Sequence, residues 1–257
     1  MRVLVTFAVD AEFAPWRKLR NCEARTIDGI SVFQAKVGRA TVDFVITGIG
    51  VKNAERVTRI ILSEEYAFCI AAGFAGALRE EHRIGNVLTA ESVQLLGKSK
   101  TLRCGPGLVK NARLDGASIA KMFLTSDHIV RTVEEKAQLA PFADAADMES
   151  FGVLTAAHAV GRPTVAIRVI SDRFDQDIPV DIEMTVDEKR GTIRIGGVLH
   201  YLGKHPLQIP ALIRLGRNSK TAAEALANFL EAYIKRISLL THGWFPEGEN
   251  LEEVAAR

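Results

Sequence analysis

Apolar and polar residues alternate along this chain with two different periods. Runs of mostly apolar residues at Arg2–Val9, Ala67–Ala72 and Val165–Asp172 predict strands that are covered on both faces. Between them, Lys52–Tyr66 carries apolar residues at helical spacing with charges between, which predicts an amphipathic helix. Strands that alternate with helices favour an α/β fold.

The same patterns assign most of the remaining segments. Asp28-Gly29 and Gly38-Arg39 mark the turns of a hairpin-like meander. Thr132, with Glu135 three residues later, gives the capping-box signature of a helix start. The further predicted strands are Cys22–Ile27, Ile30–Val37, Ala40–Thr47, Asn86–Leu96 and Lys121–Ser126, and the further predicted helices are Ser150–Val160, Thr192–Leu202, Leu207–Leu215 and Thr221–Ile237.

Two segments are interpreted as irregular structure. Gly97–Gly116 is basic and contains glycines, so we interpret it as a solvated loop or a short excursion. Gly73-Phe74-Ala75-Gly76 is interpreted as a turn, whose glycines either let the backbone approach a ligand or serve the turn alone. No internal repeat divides the chain. The sequence therefore predicts one domain over residues 1–240, with a helical C-terminal region at 192–237 and a frayed tail at 241–257.

Composition excludes several classes of function. The chain has 257 residues, of which 47% are hydrophobic and 25% charged, as in globular domains. Its net charge of +2 is too balanced to indicate a nucleic-acid-binding surface, so we expect no nucleic-acid partner. The six histidines are scattered, and His200 with His205 lack the spacing that places two metal ligands on one helix face, so no metal site is predicted.

The compartment is predicted from the cysteines and the N-terminus. Cys22, Cys69 and Cys104 are odd in number and irregularly spaced, which argues against a disulfide framework. Asp10 and Glu12 interrupt the N-terminal apolar run before the core of a signal peptide is complete, and no run approaches the roughly 18 apolar residues of a membrane span. We therefore expect a soluble cytoplasmic protein.

Carboxylates follow three of the predicted strands. Asp172 ends a strand, Glu149 opens the helix after a short strand-like segment, and Glu12 follows the first strand. Open α/β sheets place their ligand chemistry at the carboxyl ends of strands, so these acids are candidates for one site. Each also has a structural alternative, because acids are common in turns and at helix starts.

A set of short motifs in a fixed order resembles the nucleoside phosphorylase and nucleosidase superfamily, which includes methylthioadenosine/S-adenosylhomocysteine nucleosidase. The motifs are Glu12, Thr47-Gly48-Ile49-Gly50, Ala72–Gly76, Gly85-Asn86-Val87, Asp147-Met148-Glu149 and Arg168–Asp172. The likeness covers Met1 to about Asp177. It implies a single-domain, three-layer α/β sandwich with a mixed, partly barrel-like central sheet flanked by helices.

Within that superfamily, Arg194–Arg217 and Val130–Lys136 look most like the hopanoid-associated phosphorylase-like branch. That branch is thought to remove adenine from adenosylhopane. The apolar region Ile193–Leu215 is interpreted as an apolar entrance or a peripheral membrane contact, with packing on the core or on another subunit as the alternative.

The resemblance assigns a role to each acid. Asp172 is expected to protonate the purine ring nitrogen as the base leaves, and Glu12 to activate the attacking water. Glu149 is expected to accept hydrogen bonds from the ribose 2′ and 3′ hydroxyls, with Met148 packing on the sugar. A positioned acid and a carboxylate near an oxocarbenium-like centre suit the cleavage of an N-glycosidic bond.

Six other residues complete the expected site. Arg168 is either a residue behind the site, an anion-facing residue or a structural ion-pair partner, because an arginine inside an apolar strand needs a partner. Gly73 and Ser171 are expected to line the substrate pocket. Phe74 stands where many relatives have a serine or threonine, and it cannot donate a hydrogen bond, which argues against phosphorolysis. His128 and Ile129 stand where the nucleosidases place an aromatic residue that stacks on the base, although His128 also fits a loop residue.

The expected function is hydrolysis of the N-glycosidic bond of a purine nucleoside, most simply an adenine nucleoside, with room for a hydrophobic or lipid 5′ substituent such as adenosylhopane. A phosphate-dependent purine nucleoside phosphorylase and a non-catalytic nucleoside-binding protein are the alternatives. No cofactor is expected, and phosphate is a co-substrate only for a phosphorylase. A homo-oligomer is expected because the relatives commonly form dimers, trimers or hexamers.

Overall fold

The computed structural model describes residues 1–178, 186–187, 192–193 and 209–240. The strands are β1 Arg2–Phe7, β2 Glu23–Ile27, β3 Ile30–Val37, β4 Ala40–Ile46, β5 Phe68–Ala77, β6 Val87–Leu95, β7 Thr101–Arg103, β8 Ser118–Thr125, β9 Ala145–Asp147, β10 Thr164–Asp172, β11 Val186–Asp187 and β12 Thr192–Ile193. The helices are α1 Asp10–Leu19, α2 Val51–Ile61, α3 Pro106–Leu114, α4 Val133–Leu139, α5 Ser150–His158 and α6 Ile209–Ile237.

Strand β5 joins two parts of the main sheet. Along one edge, its first residues pair in parallel with β1, from Phe68 to Ala71, and its last two residues, Gly76 and Ala77, pair antiparallel with β9. Its other edge pairs in parallel with β10. Strands β5, β10, β6, β8 and β9 thereby form a closed ring, while β1, β4, β3 and β2 extend as an open sheet. This mixed, partly barrel-like sheet with flanking helices confirms the expected fold class.

Two groups of side chains hold the helices to this sheet. In α1, Phe13 and Trp16 are fully buried and stack on Phe44 of β4, with ring centroids 5.2 Å apart for the two phenylalanines. In α6, an apolar stripe is buried, and the Tyr233 hydroxyl donates to the carbonyl of Leu108 in α3 at 3.0 Å. Burial of such aromatic side chains contributes about 1.5–3 kcal/mol each. The two helices therefore form a wall beside the carboxyl ends of the strands.

The structure corrects both segments that were interpreted as irregular. Gly73–Gly76 belongs to β5 and is not a turn. Gly97–Gly116 contains β7 and α3, in which Leu108, Val109 and Ala112 are buried and the basic residues face outward. The helix has nine residues, too few for its period to stand out among the charges, and Pro106 at its first turn was the sequence signal of its start.

The C-terminal helices also differ from the prediction. Leu207–Leu215 and Thr221–Ile237 were expected as two helices, but one helix, α6, runs without a break from Ile209 to Ile237. Gly216 lies inside it, because a helical glycine costs only about 1 kcal/mol and the buried stripe that follows outweighs that cost. Thr192–Leu202 was expected as a helix, but Thr192 and Ile193 pair with Val186 and Asp187 as strands.

Most other elements agree with the sequence within a few residues. The Thr132 side chain accepts from the Glu135 backbone N–H at 3.2 Å, which confirms the predicted helix start.

The rest of Thr192–Leu202 and the tail 241–257 lie outside the described residues, and the single domain over 1–240 stays a prediction. Across the described ranges, no helix is long and apolar enough to cross a membrane.

Helix α5 lies so close to α2 that only glycine fits at position 152. A Cβ on Gly152 would overlap the backbone oxygen of Val51 and lie 3.0 Å from the backbone nitrogen of Glu55. Because both are backbone atoms, no side-chain rotation relieves the overlap. We expect Gly152→Ala to lower the free energy of unfolding by about 1–3 kcal/mol, measured by urea or thermal denaturation.

A second helical glycine is the matched control. A Cβ on Gly216 in α6 meets no heavy atom within 4 Å. Gly216→Ala is therefore expected to leave stability unchanged or raise it by up to about 1 kcal/mol. Equal effects of the two substitutions would contradict the close approach of α2 and α5.

Candidate active site

A cavity of about 1240 Å³ opens at the carboxyl ends of β1, β5, β9 and β10. All but two of the predicted site residues line it, namely Glu12, Phe74, His128, Ile129, Met148, Glu149, Ser171 and Asp172. Gly73 and Arg168 lie behind its wall. The strand topology therefore gathers acids that are far apart in sequence, as expected for an α/β sheet.

Glu12 is fixed by three backbone N–H groups. It lies in the first turn of α1, where its Oε2 accepts from Ala8 at 2.7 Å and Val9 at 3.0 Å, and its Oε1 accepts from Phe74 at 2.8 Å. Burial raises the pKa of Glu12, against the opposing effects of the Arg168 charge and the backbone hydrogen bonds. Glu12 is therefore immobile and a stronger base than an exposed glutamate.

Gly73 makes room for this arrangement. A Cβ there would overlap Nη1 of Arg168 and lie 2.7 Å from Oε1 of Glu12. The expectation that Gly73 brings the backbone close to the ligand stays a prediction. The groups that approach it are the side chains of Arg168 and Glu12, and the described lining of the cavity does not include it.

Arg168 is a buried cation among three carboxylates. Its side chain is 1% exposed, its Nε donates to the Ser150 hydroxyl at 3.0 Å and lies 3.1 Å from Oδ2 of Asp147, and its Nη1 lies 3.4 Å from Oε2 of Glu149. Its Nη1 also donates to the Phe74 carbonyl at 3.3 Å. Three roles were expected for Arg168. It lies behind the cavity wall and is oriented by ion pairs with carboxylates, which fits a residue behind the site or a structural ion-pair partner.

Glu149 titrates near neutrality. Its Oε1 accepts from the Gly50 backbone N–H at 3.0 Å, and Gly50 has a φ of 92°, a conformation that favours glycine. Burial, more than the neighbouring Asp147 and Glu12 charges, raises the pKa of Glu149 to about 7 although Arg168 opposes the shift. The positive charge of Arg168 therefore lowers the pKa of Glu149 by less than burial and the neighbouring acids raise it.

Asp147 organises the turn that carries Glu149. Its Oδ1 accepts from the Thr125 hydroxyl at 2.8 Å and from the backbone N–H groups of Glu149 at 3.0 Å and Ser150 at 3.1 Å. From the sequence, Asp147 was recognised only as part of a motif. An aspartate three residues before a helix start, whose side chain accepts from the backbone N–H two residues on, is a signal of such a side-chain turn.

Asp172 is directed into the cavity by a break in strand pairing. The register of β10 against β5 shifts between Ile170 and Asp172, an irregularity that re-aims the side chains beyond it. The Oδ1 of Asp172 accepts from the Ser171 hydroxyl at 3.2 Å. A Cβ on Gly76 would lie 2.8 Å from the Asp172 Oδ2, so a larger residue there would displace the carboxylate.

Lys136 of α4 is a contact of Asp172 that the sequence did not predict. Its Nζ donates to the Asp172 Oδ2 at 2.7 Å, and its side chain is fully buried. A lysine among Glu134, Glu135 and Gln138 has the sequence signature of a solvated helix face. Only the tertiary placement of the short helix α4 reveals this contact.

His128 is held between two acids at the cavity rim. Its Nδ1 lies 2.8 Å from Asp127 and its Nε2 lies 2.6 Å from Glu135. The hydrogen bonds to Asp127 and Glu135 raise the pKa of His128 and favour the imidazolium. His128 is therefore held between two carboxylates on a half-exposed surface, next to Ile129 in the lining of the cavity. Throughout the described ranges, no group of three or more histidine, cysteine or acidic residues has an arrangement that could hold a metal ion.

The family follows from the comparison with known proteins. A family model described as the phosphorylase superfamily matches residues 2–195, most of the chain. The chain therefore belongs to the phosphorylase superfamily, an identification that confirms both the resemblance and the prediction of an enzyme that cleaves N-glycosyl bonds. No curated protein was matched by sequence.

Solved structures share the fold at low sequence identity. A futalosine hydrolase mutant of Helicobacter pylori has a TM-score of 0.71 and 16% identity, with 92% of this chain and 99% of that chain covered. The 5′-methylthioadenosine/S-adenosylhomocysteine nucleosidase of Neisseria meningitidis, in complex with methylthio-immucillin-A, has a TM-score of 0.69 and 20% identity, with 91% and 99% covered. The S-adenosylhomocysteine nucleosidase of Streptococcus pyogenes, in complex with 5-methylthiotubericidin, has a TM-score of 0.70 and 16% identity, with 92% and 98% covered.

The raised pKa of Glu149 predicts a pH-dependent stability. Because the folded state binds this proton more tightly than the unfolded state, the stabilisation is fully present below the ordinary value of 4.5 and is lost as the pH rises through about 7. Glu149→Gln cannot ionise. Between pH 5 and pH 8 the wild type should therefore lose stability relative to Glu149→Gln, by on the order of 3 kcal/mol at most.

Urea denaturation of both proteins at the two pH values measures this difference. The control is Glu134→Gln, at an exposed position of α4, which should follow the wild type at both pH values. A wild-type curve parallel to that of Glu149→Gln would show that Glu149 titrates as an ordinary exposed glutamate.

Proposed function

We propose that this protein hydrolyses the N-glycosidic bond of a purine nucleoside. The observation that carries this proposal is the contrast between two carboxylates on the wall of one cavity. Glu12 is buried, with a raised pKa, whereas Asp172 is paired with an ammonium at 2.7 Å. When it is ionised, Glu12 is the better proton acceptor, and the ammonium stabilises the carboxylate that remains after Asp172 has given up a proton. The two environments therefore suit the two opposite proton transfers of a hydrolysis.

The proposed reaction moves one proton at each end of the breaking bond. The electron pair of the C1′–N bond passes to the purine, and Asp172 gives its proton to a ring nitrogen of the leaving base. Water attacks C1′ and gives a proton to Glu12, whose Oε1 accepts only one backbone hydrogen bond and keeps a lone pair for this purpose. The products are the free base and the free sugar, and solvent restores both carboxyl groups.

Glu149 and Met148 are proposed to hold the ribose. Ionised Glu149 can accept hydrogen bonds from the 2′ and 3′ hydroxyls, and its charge stabilises the positive character that develops on the sugar. Since the pKa of Glu149 lies near 7, binding of the diol is expected to weaken as the pH falls below that value. Met148 supplies an apolar surface on the same wall.

Water is the proposed nucleophile because of what surrounds Glu12. Phe74 lines the cavity, and Arg168, the cation whose charge acts on Glu12, is buried and already paired with Asp147 and Glu149. A phosphate dianion would need free donors at this place. Phosphorolysis and binding without turnover are therefore outcomes of the test rather than further proposals.

Release of free adenine tests the proposal. Adenosine, methylthioadenosine and a 5′-alkyl adenosine are incubated with the protein, each with and without phosphate, and the sugar product is identified. We expect adenine and free sugar without phosphate, and a loss of about 10²–10⁴ in rate for Asp172→Asn with ligand binding largely kept.

Asp175→Asn is the matched control, because Asp175 is an exposed aspartate of the same loop, paired with Arg173. It should retain wild-type activity. A sugar 1-phosphate formed only with phosphate would identify a phosphorylase, and purine binding without any release would identify a binding protein. Full activity of Asp172→Asn would contradict the proposal that Asp172 protonates the leaving base.

We further propose that the substrate carries a hydrophobic 5′ substituent, such as that of adenosylhopane. The cavity of about 1240 Å³ exceeds the usual 300–1,000 Å³ of small-molecule sites. Small and apolar residues of two helices form part of its wall, namely Ala11, Ala14, Pro15 and Leu19 of α1 and Leu212, Leu215 and Ala223 of α6. Besides Glu12, the polar residues that the same helices contribute are Asp10, Lys18, Ser219, Lys220, Glu224 and Asn228. The segment 194–208, which carries much of the resemblance to the hopanoid-associated branch, lies outside the described residues.

A charge placed in the apolar wall tests this substituent. Leu215→Asp should lower kcat/KM for a 5′-alkyl adenosine by about 10- to 100-fold, since a lost apolar contact of this size is worth about 1–3 kcal/mol, and should leave adenosine nearly unaffected. Ile213→Asp is the control, because Ile213 lies on the same helix but is 51% exposed. Equal losses for adenosine and the alkyl substrate would argue against an apolar subsite.

A further inference from the structure

The ammonium group of Lys136 donates a hydrogen bond with each of its three N–H groups. Its Nζ donates to the Asp172 Oδ2 at 2.7 Å, to the Arg173 carbonyl at 2.6 Å and to the Gln176 carbonyl at 3.0 Å. An ammonium has three N–H donors, so none remains for a substrate. Any effect of Lys136 on the reaction must therefore pass through Asp172 and the loop that follows it.

The same loop is tied to the start of α4 at two further points. The Asp177 Oδ1 accepts from the Val133 backbone N–H at 2.7 Å, and the Ile178 backbone N–H donates to the Arg131 carbonyl at 3.0 Å. Helix α4 and residues 172–178 thus behave as one unit, with Lys136 at its buried end.

We propose that Lys136 is a positioning residue for the leaving-group acid, an inference that rests on the proposed function. With Oδ2 engaged by the ammonium, Oδ1 is the oxygen that carries the proton to the base. When the O–H bond of Asp172 breaks, the N–H bond of the purine forms and the C1′–N electron pair stays on the base. The carboxylate that remains is stabilised by Lys136, whose charge-assisted hydrogen bond strengthens as the negative charge develops.

This role differs from simple structural support in its dependence on the leaving group. A purine needs protonation to leave, whereas p-nitrophenolate is stable as an anion and needs none. A residue that acts through Asp172 therefore matters for a purine nucleoside and not for p-nitrophenyl β-D-ribofuranoside. A residue that only stabilises the fold matters equally for both.

The experiment measures both substrates with wild type, Asp172→Asn, Lys136→Gln, the double variant and the control Lys110→Gln, at an exposed position of α3. We expect Lys136→Gln to slow adenine release by about 10- to 100-fold, as for a displaced catalytic group. Asp172→Asn and Lys136→Gln should both stay within about threefold of wild type on the aryl riboside. The double variant should release adenine no more slowly than Asp172→Asn alone, since the two residues act as one unit.

Three results would overturn the inference: equal losses on both substrates, full adenine release by Lys136→Gln, or losses that multiply in the double variant. Should Lys136→Gln fail to fold, Asp177→Ala decides in its place, because Asp177 is exposed and its loss loosens the same loop. That variant should slow adenine release and spare the aryl riboside, and an equal effect on both substrates counts against the inference. If the wild type releases no base from any substrate, the proposed function itself is contradicted. Failure of the proposed function is thereby distinguished from failure of the inference about Lys136.

Discussion

The architecture of the site depends on one buried cation. Arg168 lies inside β10, nearly inaccessible to water. It contacts Asp147 of β9 and Glu149 before α5, and its charge also acts on Glu12 of α1. Buried carboxylates of this number would repel one another strongly without a positive charge at their centre. The glycine at position 73 exists for the same reason, because any side chain there would displace the guanidinium or Glu12. The arrangement of Glu12 and Glu149 and the glycine at position 73 thus both depend on this buried guanidinium.

A second cation serves the opposite side of the cavity. Lys136 contacts Asp172 as Arg168 contacts Asp147 and Glu149, but it donates all three of its N–H groups to one carboxylate and two carbonyls. The guanidinium of Arg168 is paired with two carboxylates, whereas the ammonium of Lys136 is paired with one. This difference in sharing accounts for the different environments of the acids, and the proposed division between an acid and a base rests on it.

The sequence alone predicted the fold class and most strands, because buried parallel strands leave uninterrupted apolar runs such as Val165–Ile170. It also located Glu12, Glu149 and Asp172, since strand ends are recognisable and acids there are few. It failed where a local signal was ambiguous. The glycines of β5 look like a turn, and α3 is too short to show its period among basic residues. Lys136 and Asp147 were missed as site-forming residues because their partners are 36 and 22 residues away or in a local turn. Oligomeric state, cofactor use and the cytoplasmic compartment stay predictions.

The placement of β10 has a consequence for how this chain is made. Strands β5 and β6 are consecutive in sequence, yet β10 pairs with both of them, so the ring cannot close until residues near 164–172 have been synthesised. Those residues also bring Arg168. A ribosome-bound chain that ends before β10 therefore contains Glu12, Asp147 and Glu149 without Arg168, and Asp172 is added together with that counter-ion. The ring of strands therefore closes in the same step that brings Arg168 to the acids. The pocket cannot form before β10, the last strand of the ring, has been added.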